Sequence, residues 1–333
     1  MLFSATLPSQ ILEFAKAGLR DPELIRLDVE RRLPENLEMT FFHVRHEDKL
    51  AALLHLLRNV LKPNEKTVIF VATKHHVELL RMILNKNGYE TCYIYSSMDP
   101  AARKQMIQRF RHEDDDPEKV SNILVTTDIA ARGIDIPLLD AVINYHFPPK
   151  AKLFVHRVGR VARAGRNGIA YSLVRQALKF PFCNLQIVNI NYHGLRLFFY
   201  KDFKSSFLCN GNLKKFCKIL NLLISNEELP YLLDLYVFLG RQLNYCEDGN
   251  ENWNGRLGRY PQSAIDSQFE AIMRDVKESH DIELQMKSAA NGDKGYRRTR
   301  EKPSLESANK AREIDIATCG VHPIFGAEVA GQY

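Results

Sequence analysis

Between residues 40 and 174 short apolar runs alternate with amphipathic stretches, and that alternation leaves few folds open. Apolar segments at 40–45, 67–72, 91–95, 122–127, 141–146 and 169–174 have the length of buried strands. Between them, 48–60 carries the helical stripe Leu50, Leu53, Leu54 and Leu57, 75–87 stops before Gly88, and 100–111 forms a further helical stretch. Strands separated by helices cannot pair as hairpins, so the pattern predicts an α/β fold: a parallel sheet with helices on both faces. In such sheets ligands meet the carboxyl ends of the strands, where Thr73, Thr127 and Asp135 are expected.

The chemistry concentrates in residues 122–166. The apolar run Ile123, Leu124, Val125 ends in Thr126-Thr127-Asp128 and then Arg132-Gly133-Ile134-Asp135. Further on, His156, Arg157, Arg160, Arg163 and Arg166 crowd into one short segment. A helix over 153–164 would place His156, Arg160 and Arg163 within roughly 60° of one another, with Arg157 off that line. Two guanidiniums and an imidazole side by side repel unless a polyanion meets them, and planar guanidinium forks suit phosphate oxygens.

These segments resemble the second lobe of the DEAD-box RNA helicases. Thr127-Asp128-Ile129-Ala130-Ala131-Arg132-Gly133-Ile134-Asp135 is similar to the family's motif V. His156-Arg157-Val158-Gly159-Arg160-Val161-Ala162-Arg163 is similar to motif VI, with Val161-Ala162 where many members have Thr-Gly. Ser4-Ala5-Thr6 resembles motif III, and Val68-Ile69-Phe70-Val71-Ala72-Thr73 resembles motif IV. Residues 3–174 and 227–243 look like the nucleolar subgroup that acts in large ribosomal subunit assembly. Gly258-Arg259-Tyr260-Pro261-Gln262-Ser263 and His322-Pro323-Ile324-Phe325 fit that subgroup too.

The resemblance implies a RecA-like lobe and a role for each motif residue. Arg160 and Arg163, with His156 beside them, would meet the γ-phosphate of ATP, and Gly133 and Asp135 would hold its ribose. Thr73, Arg103, Thr127 and Arg132 would grip RNA phosphates, although Pro100 stands where the family's QxxR element has Gln. Ser4 and Thr6 would couple hydrolysis to strand separation. ATP and Mg2+ are the implied cofactors, held mainly by the first lobe, and no metal-ligand set is expected within this stretch. RNA, pre-ribosomal by subgroup, is the implied partner, ribosome-assembly factors would be further ones, and the expected state is a monomer in the nucleolus of the nucleus.

The chain has 333 residues and 45% hydrophobic content, ample for a core. It contains no run of eighteen apolar residues and no basic segment leading into an apolar one, which sets an intracellular protein without a membrane span as the expectation. Cys92, Cys183, Cys209, Cys217, Cys246 and Cys319 form no CxxC pair, so buried free thiols are expected. Adjacent helical positions diverge by about 100°, so His75 and His76 are not expected to share a metal. The net charge of +6 is misleading as a nucleic-acid signal, because residues 176–226 hold seven Lys or Arg against one acid. The informative charge lies at 151–175, with six basic residues and no acidic one.

Three regions follow. Residues 1–30 are expected to be a remnant of the first lobe, with a helix at 11–19 and an interlobe linker. Residues 31–243 are the RecA-like lobe, closing with a helix over 227–243. Residues 244–333 form a polar extension, largely helical or disordered. Within the lobe, 176–226 is expected to be foreign: Phe, Leu, Ile, Asn, Lys and Tyr make up 34 of the 50 residues from 176 to 225, the bias of translated AT-rich non-coding DNA. A stripe of Leu213, Phe216, Cys217, Leu220, Leu223 and Ile224 supports a genuine inserted subdomain instead. Neither GxxxxGK[ST] nor DEAD occurs. The expected activity is therefore that of an ATP-dependent RNA helicase represented by one lobe, against a non-catalytic RNA-binding module and, more distantly, a DNA helicase.

Overall fold

Residues Leu37–Val44 (β1) read LEMTFFHV, and successive strand side chains point to opposite faces. Phe41 and Phe42 are accordingly both fully buried, but in different halves of the core. The computed structural model describes residues 33–62, 64–112, 121–163, 165–175, 228–247, 252–314 and 319–326. It also gives the backbone of three short strands between 190 and 208. Ser4, Thr6, the helix expected at 11–19 and nearly all of 176–226 lie outside the described residues.

After β1 the chain alternates as its periodicity predicts. Lys49–His55 (α1) runs on into a π turn at Leu56–Val60, followed by Thr67–Val71 (β2) and Lys74–Lys86 (α2). Thr91–Ile94 (β3), Pro100–Arg111 (α3), Ile123–Thr127 (β4) and the single turn Asp128–Ala131 (α4) come next. Ala141–Asn144 (β5), Ala151–Val158 (α5) and Gly168–Arg175 (β6) complete the first run. The segments Ile190–Tyr192 (β7), Leu195–Phe198 (β8) and Phe207–Leu208 (β9) pair antiparallel among themselves. Leu229–Phe238 (α6) is shorter than the expected 227–243, with Pro230 in its first turn.

The extension is helical, and it is not merely appended. Asn244–Tyr245 (β10) and Arg256–Arg259 (β11) join the sheet, giving the order β10-β11-β1-β6-β5-β2-β4-β3 with every pair parallel. Gln262–Glu278 (α7) and His280–Thr299 (α8) contribute Ile265, Ile272, Ile282 and Ala289 to the face already covered by α1 and α2. Leu305–Glu313 (α9) contributes Ala311 to the other face, with α3, α5 and α6. Periodicity hid β11 because RLGR has one apolar residue. Its neighbours explain it: a Cβ on Gly258 would lie 2.8 Å from the Cβ of His322, so only glycine lets His322 pack there. The Phe325 ring then packs, tilted, with its centre 4.5 Å from that of Tyr260 and 5.1 Å from that of Phe42. Gly258-Arg259-Tyr260 and His322-Pro323-Ile324-Phe325 thus form one packed unit on β1.

The end of α6 that follows the undescribed stretch is tied to the sheet by a buried ion pair. Lys49 Nζ lies 2.5 Å from Glu228 Oε2 and donates to the carbonyl of Tyr145, while Glu228 accepts from the N–H groups of Phe147 and Arg175. Burial pushes the Lys49 ammonium below the ordinary lysine range in spite of its partner. Burial acts upward on the Glu228 carboxyl, but Lys49, Arg300 and the Arg175 N–H outweigh it and hold it below the usual carboxylate range. Cys92, Cys246 and Cys319 are buried thiols outside any disulfide, and no described helix is long and apolar enough to cross a membrane.

Candidate nucleotide and nucleic-acid sites

The motif residues divide between the two ends of the sheet. Strands β2, β4 and β3 are neighbours, and their carboxyl ends carry Thr73, Thr127 and the Tyr95-Ser96 turn. Thr127 is the last residue of β4 and is buried, and Thr73 is half-buried. Thr73 stands at the N-cap of α2 without capping it; its hydroxyl is 2.8 Å from Nδ1 of His76. Arg103, in the first turn of α3, donates to the carbonyls of Ser96 at 3.0 Å and Tyr95 at 3.5 Å, and its buried Nε has no partner among the described residues. Arg132 is exposed just beyond α4. This end therefore offers two hydroxyls and two guanidiniums over three adjacent strands, an arrangement that can hold phosphates without reading bases.

Asp135 and the motif VI arginines lie elsewhere, which corrects the expectation that Asp135 shares the carboxyl rim. Gly133 takes φ +73 with open space around it, and the chain turns there toward the amino ends of the strands. Arg111, the last residue of α3, donates to the Asp135 carboxylate at 2.8 Å, and Lys66, just before β2, donates to the Arg111 carbonyl. Leu139 then bridges to Val161 and donates its N–H to the carbonyl of Arg160. The Asp135 carboxylate remains largely exposed, so a ribose hydroxyl could reach it beside Arg111.

The helix expected over 153–164 ends at Val158. Arg160 and Arg163 are therefore not on a helical face with His156 but on the following loop, folded by Ala162 at φ +56 and Gly165 at φ +76. Ala162 stands where many members of the resembled family have glycine, and a left-handed alanine costs about 1–2 kcal/mol. The loop is fixed from below: a Cβ on Gly168 would fall 2.3 Å from Val161 Cγ1. The Arg163 guanidinium folds back to within 3.7 Å of a Cβ built on Gly159. His156, Arg160 and Arg163 are all exposed, and neither arginine makes an ion pair among the described residues.

Arg157 has the opposite environment, as its divergence on the helix suggests. It is buried, donates to both oxygens of Asp128 at 2.6 and 2.7 Å, and reaches Asn144 Oδ1 at 2.9 Å and the His146 carbonyl at 2.7 Å. Its guanidinium carbon sits 4.9 Å from the Phe70 ring centre. One side chain thus joins motif V to motif VI.

Sequence reasoning missed a buried polar cluster at the carboxyl rim. Ligand atoms of His76, His146 and Asp293 lie within 4.8 Å of one another, bringing a residue of α8 beside His76. The donor set does not suit a cation. The N–H of Ala72 donates to His146 Nδ1 at 3.2 Å, so the neutral ring carries its proton on Nε2, the atom a metal would need bare. Asp293 is already engaged by Arg297 at 3.1 Å and Arg175 at 3.4 Å.

Burial lowers the pKa of His43, with help from Arg259, to about 4, and that of His76 to about 4. Burial brings His322 to about 3 and pushes His146 well below its ordinary value. Each is neutral in the fold and charges near 6.5 once unfolded. Their contribution is fully present above pH 6.5 and is lost as pH falls toward 4, at about 2 kcal/mol by pH 5 for each of His43, His76 and His322. Urea midpoints should therefore drop sharply between pH 7.5 and 5; equal midpoints would refute the assignment.

The geometry defines a RecA-like lobe, and residues 48–165 match the helicase conserved C-terminal domain. The chain is 42% identical over 334 residues to the ATP-dependent RNA helicase DDX54 of Mus musculus, covering 98% of this chain and 32% of that protein. It is 36% identical over 342 residues to the DEAD-box ATP-dependent RNA helicase 29 of Oryza sativa subsp. indica, covering 98% and 33%. Among solved structures, the C-terminal domain of the DEAD-box protein Dbp5 matches at 29% identity with TM-score 0.38, covering 45% of this chain and 83% of that one. The chain is similar over nearly its whole length to DEAD-box ATP-dependent RNA helicases, and it spans about a third of the length of the curated relatives it matches.

Proposed function

We propose that this chain is the second RecA-like lobe of an ATP-dependent RNA helicase, whose RNA-stimulated ATP hydrolysis drives local unwinding in ribosome biogenesis in the nucleolus. The observation that carries the reading is the pair of exposed guanidiniums of Arg160 and Arg163, without an ion pair among the described residues, on a loop pinned at one end of the sheet, with phosphate-suited residues at the other. Arg160 and Arg163 would meet charge developing on the transferred phosphoryl group. Gly133 leaves room for a ribose and Asp135 accepts its hydroxyls. These residues fit the triphosphate and sugar of ATP, which supplies the phosphoryl group; Mg2+ is assigned to the first lobe. Thr73, Arg103, Thr127 and Arg132 grip the RNA backbone, Ser4 and Thr6 couple the two events, and pre-ribosomal RNA and assembly factors are the partners of a monomer. Since neither GxxxxGK[ST] nor DEAD occurs in the 333 residues, the isolated chain should bind RNA and hydrolyse no ATP.

Titration of labelled poly(U), poly(A) and poly(C) at two salt concentrations tests the RNA assignment. Affinity should be weak, similar for all three and lower at high salt; Arg132→Ala should weaken all three alike and flatten the salt slope by about 0.7. Strong base preference with a flat salt response would refute it.

A further inference from the structure

We propose that the exposed side of α8 is a binding surface for the sugar–phosphate backbone of single-stranded RNA, continuing the path that begins at Thr73. The proposal rests on the RNA-binding reading above. Its first support is contact with motif IV. A Cβ on Gly292 would sit 3.0 Å from the Thr73 hydroxyl and 3.3 Å from His75 Cδ2, so glycine lets the helix backbone lie directly against Thr73. Gln285 donates to the His75 carbonyl at 2.8 Å, and Asp293 is fixed between Arg297 and Arg175. The helix is therefore held in register with the motif.

Its second support is charge. At about 100° per residue, Lys287, Asn291, Lys294 and Arg298 fall within roughly 60° of one another, and all four are exposed. Lys287 pairs with Glu283 at 2.6 Å, whereas Lys294 and Arg298 make no ion pair among the described residues. Asp293 is the single acid between residues 287 and 299, and it is buried, so this half of α8 shows solvent only positive charge. Gly295 lies between this stripe and Gly292, exposed, with nothing within 4 Å of an added Cβ. Glycine inside a helix costs about 1 kcal/mol relative to alanine, and close approach of a ligand backbone accounts for it. Cations flanking such an approach suit repeated phosphates.

Fluorescence anisotropy of the full chain with a labelled poly(U) oligonucleotide tests this, comparing the parent with Lys294→Ala/Arg298→Ala and with Arg132→Ala. Two lost phosphate contacts should flatten the salt slope by about 1.4 and weaken binding about tenfold near 0.15 M salt, with an unchanged melting temperature. Lys294→Glu/Arg298→Glu should weaken it further. Parent-like binding by both α8 variants, with Arg132→Ala still weakened, would overturn the α8 surface and leave motif V standing; the stripe would then serve a protein partner or solvent. Failure of the parent to bind RNA would overturn both readings.

Discussion

Joined behind an intact first lobe, this chain should lose RNA-stimulated ATP turnover by about 10³- to 10⁵-fold when Arg160 or Arg163 becomes alanine. That range is what an arginine meeting the transferred phosphoryl group contributes, about 4–7 kcal/mol of barrier. Both side chains are exposed and unpaired among the described residues, so removing either costs the fold nothing large. The loop beneath them is held by backbone, through Leu139 and Val161 and the close approach of Gly168, and survives loss of the side chains. Phosphate release with saturating RNA, alongside a melting curve, gives the readout. A variant with parent turnover would remove that arginine from the phosphoryl-transfer step, and one that also melts early would show a structural role instead.

The alternation of apolar runs and helical stripes announced six of the eight strands of the main sheet, because buried parallel strands are continuously apolar whatever their neighbours. It could not announce β10 and β11, whose four or fewer residues owe their place to partners far along the chain: Gly258 under His322, and Phe325 against Phe42. The motifs supplied the candidate site residues, yet a helix extended too far put Arg160 and Arg163 on one face with His156. The break at Gly159 and the left-handed Ala162 depend on Gly168 and Leu139 packing beneath, which helical periodicity does not see. The same limit applies to α8. Gly292 and Asp293 look like ordinary polar helix positions until the fold sets one against Thr73 and the other beside His76 and His146.

Arg157→Ala should do what Arg160→Ala does not: destabilise the lobe by about 3–5 kcal/mol, the cost of breaking a buried ion pair by removing one partner. The substitution strands Asp128, whose side chain is 20% exposed, and leaves Asn144 and the His146 carbonyl without their donor. At about 2–4 °C per kcal/mol the melting temperature should fall by roughly 6–20 °C. Arg157→Lys should recover only part of this, since one ammonium cannot span both oxygens of Asp128 and still reach Asn144. In a double-mutant cycle, Asp128→Asn should lose most of its own effect once Arg157 is gone. Asp128 is the second residue of motif V and Arg157 lies in motif VI, so their pairing fixes how the turn carrying Gly133 meets the helix carrying His156. A melting temperature within about 2 °C of the parent for Arg157→Ala would mean that the pair is dispensable and that the sheet alone holds the two motifs in register.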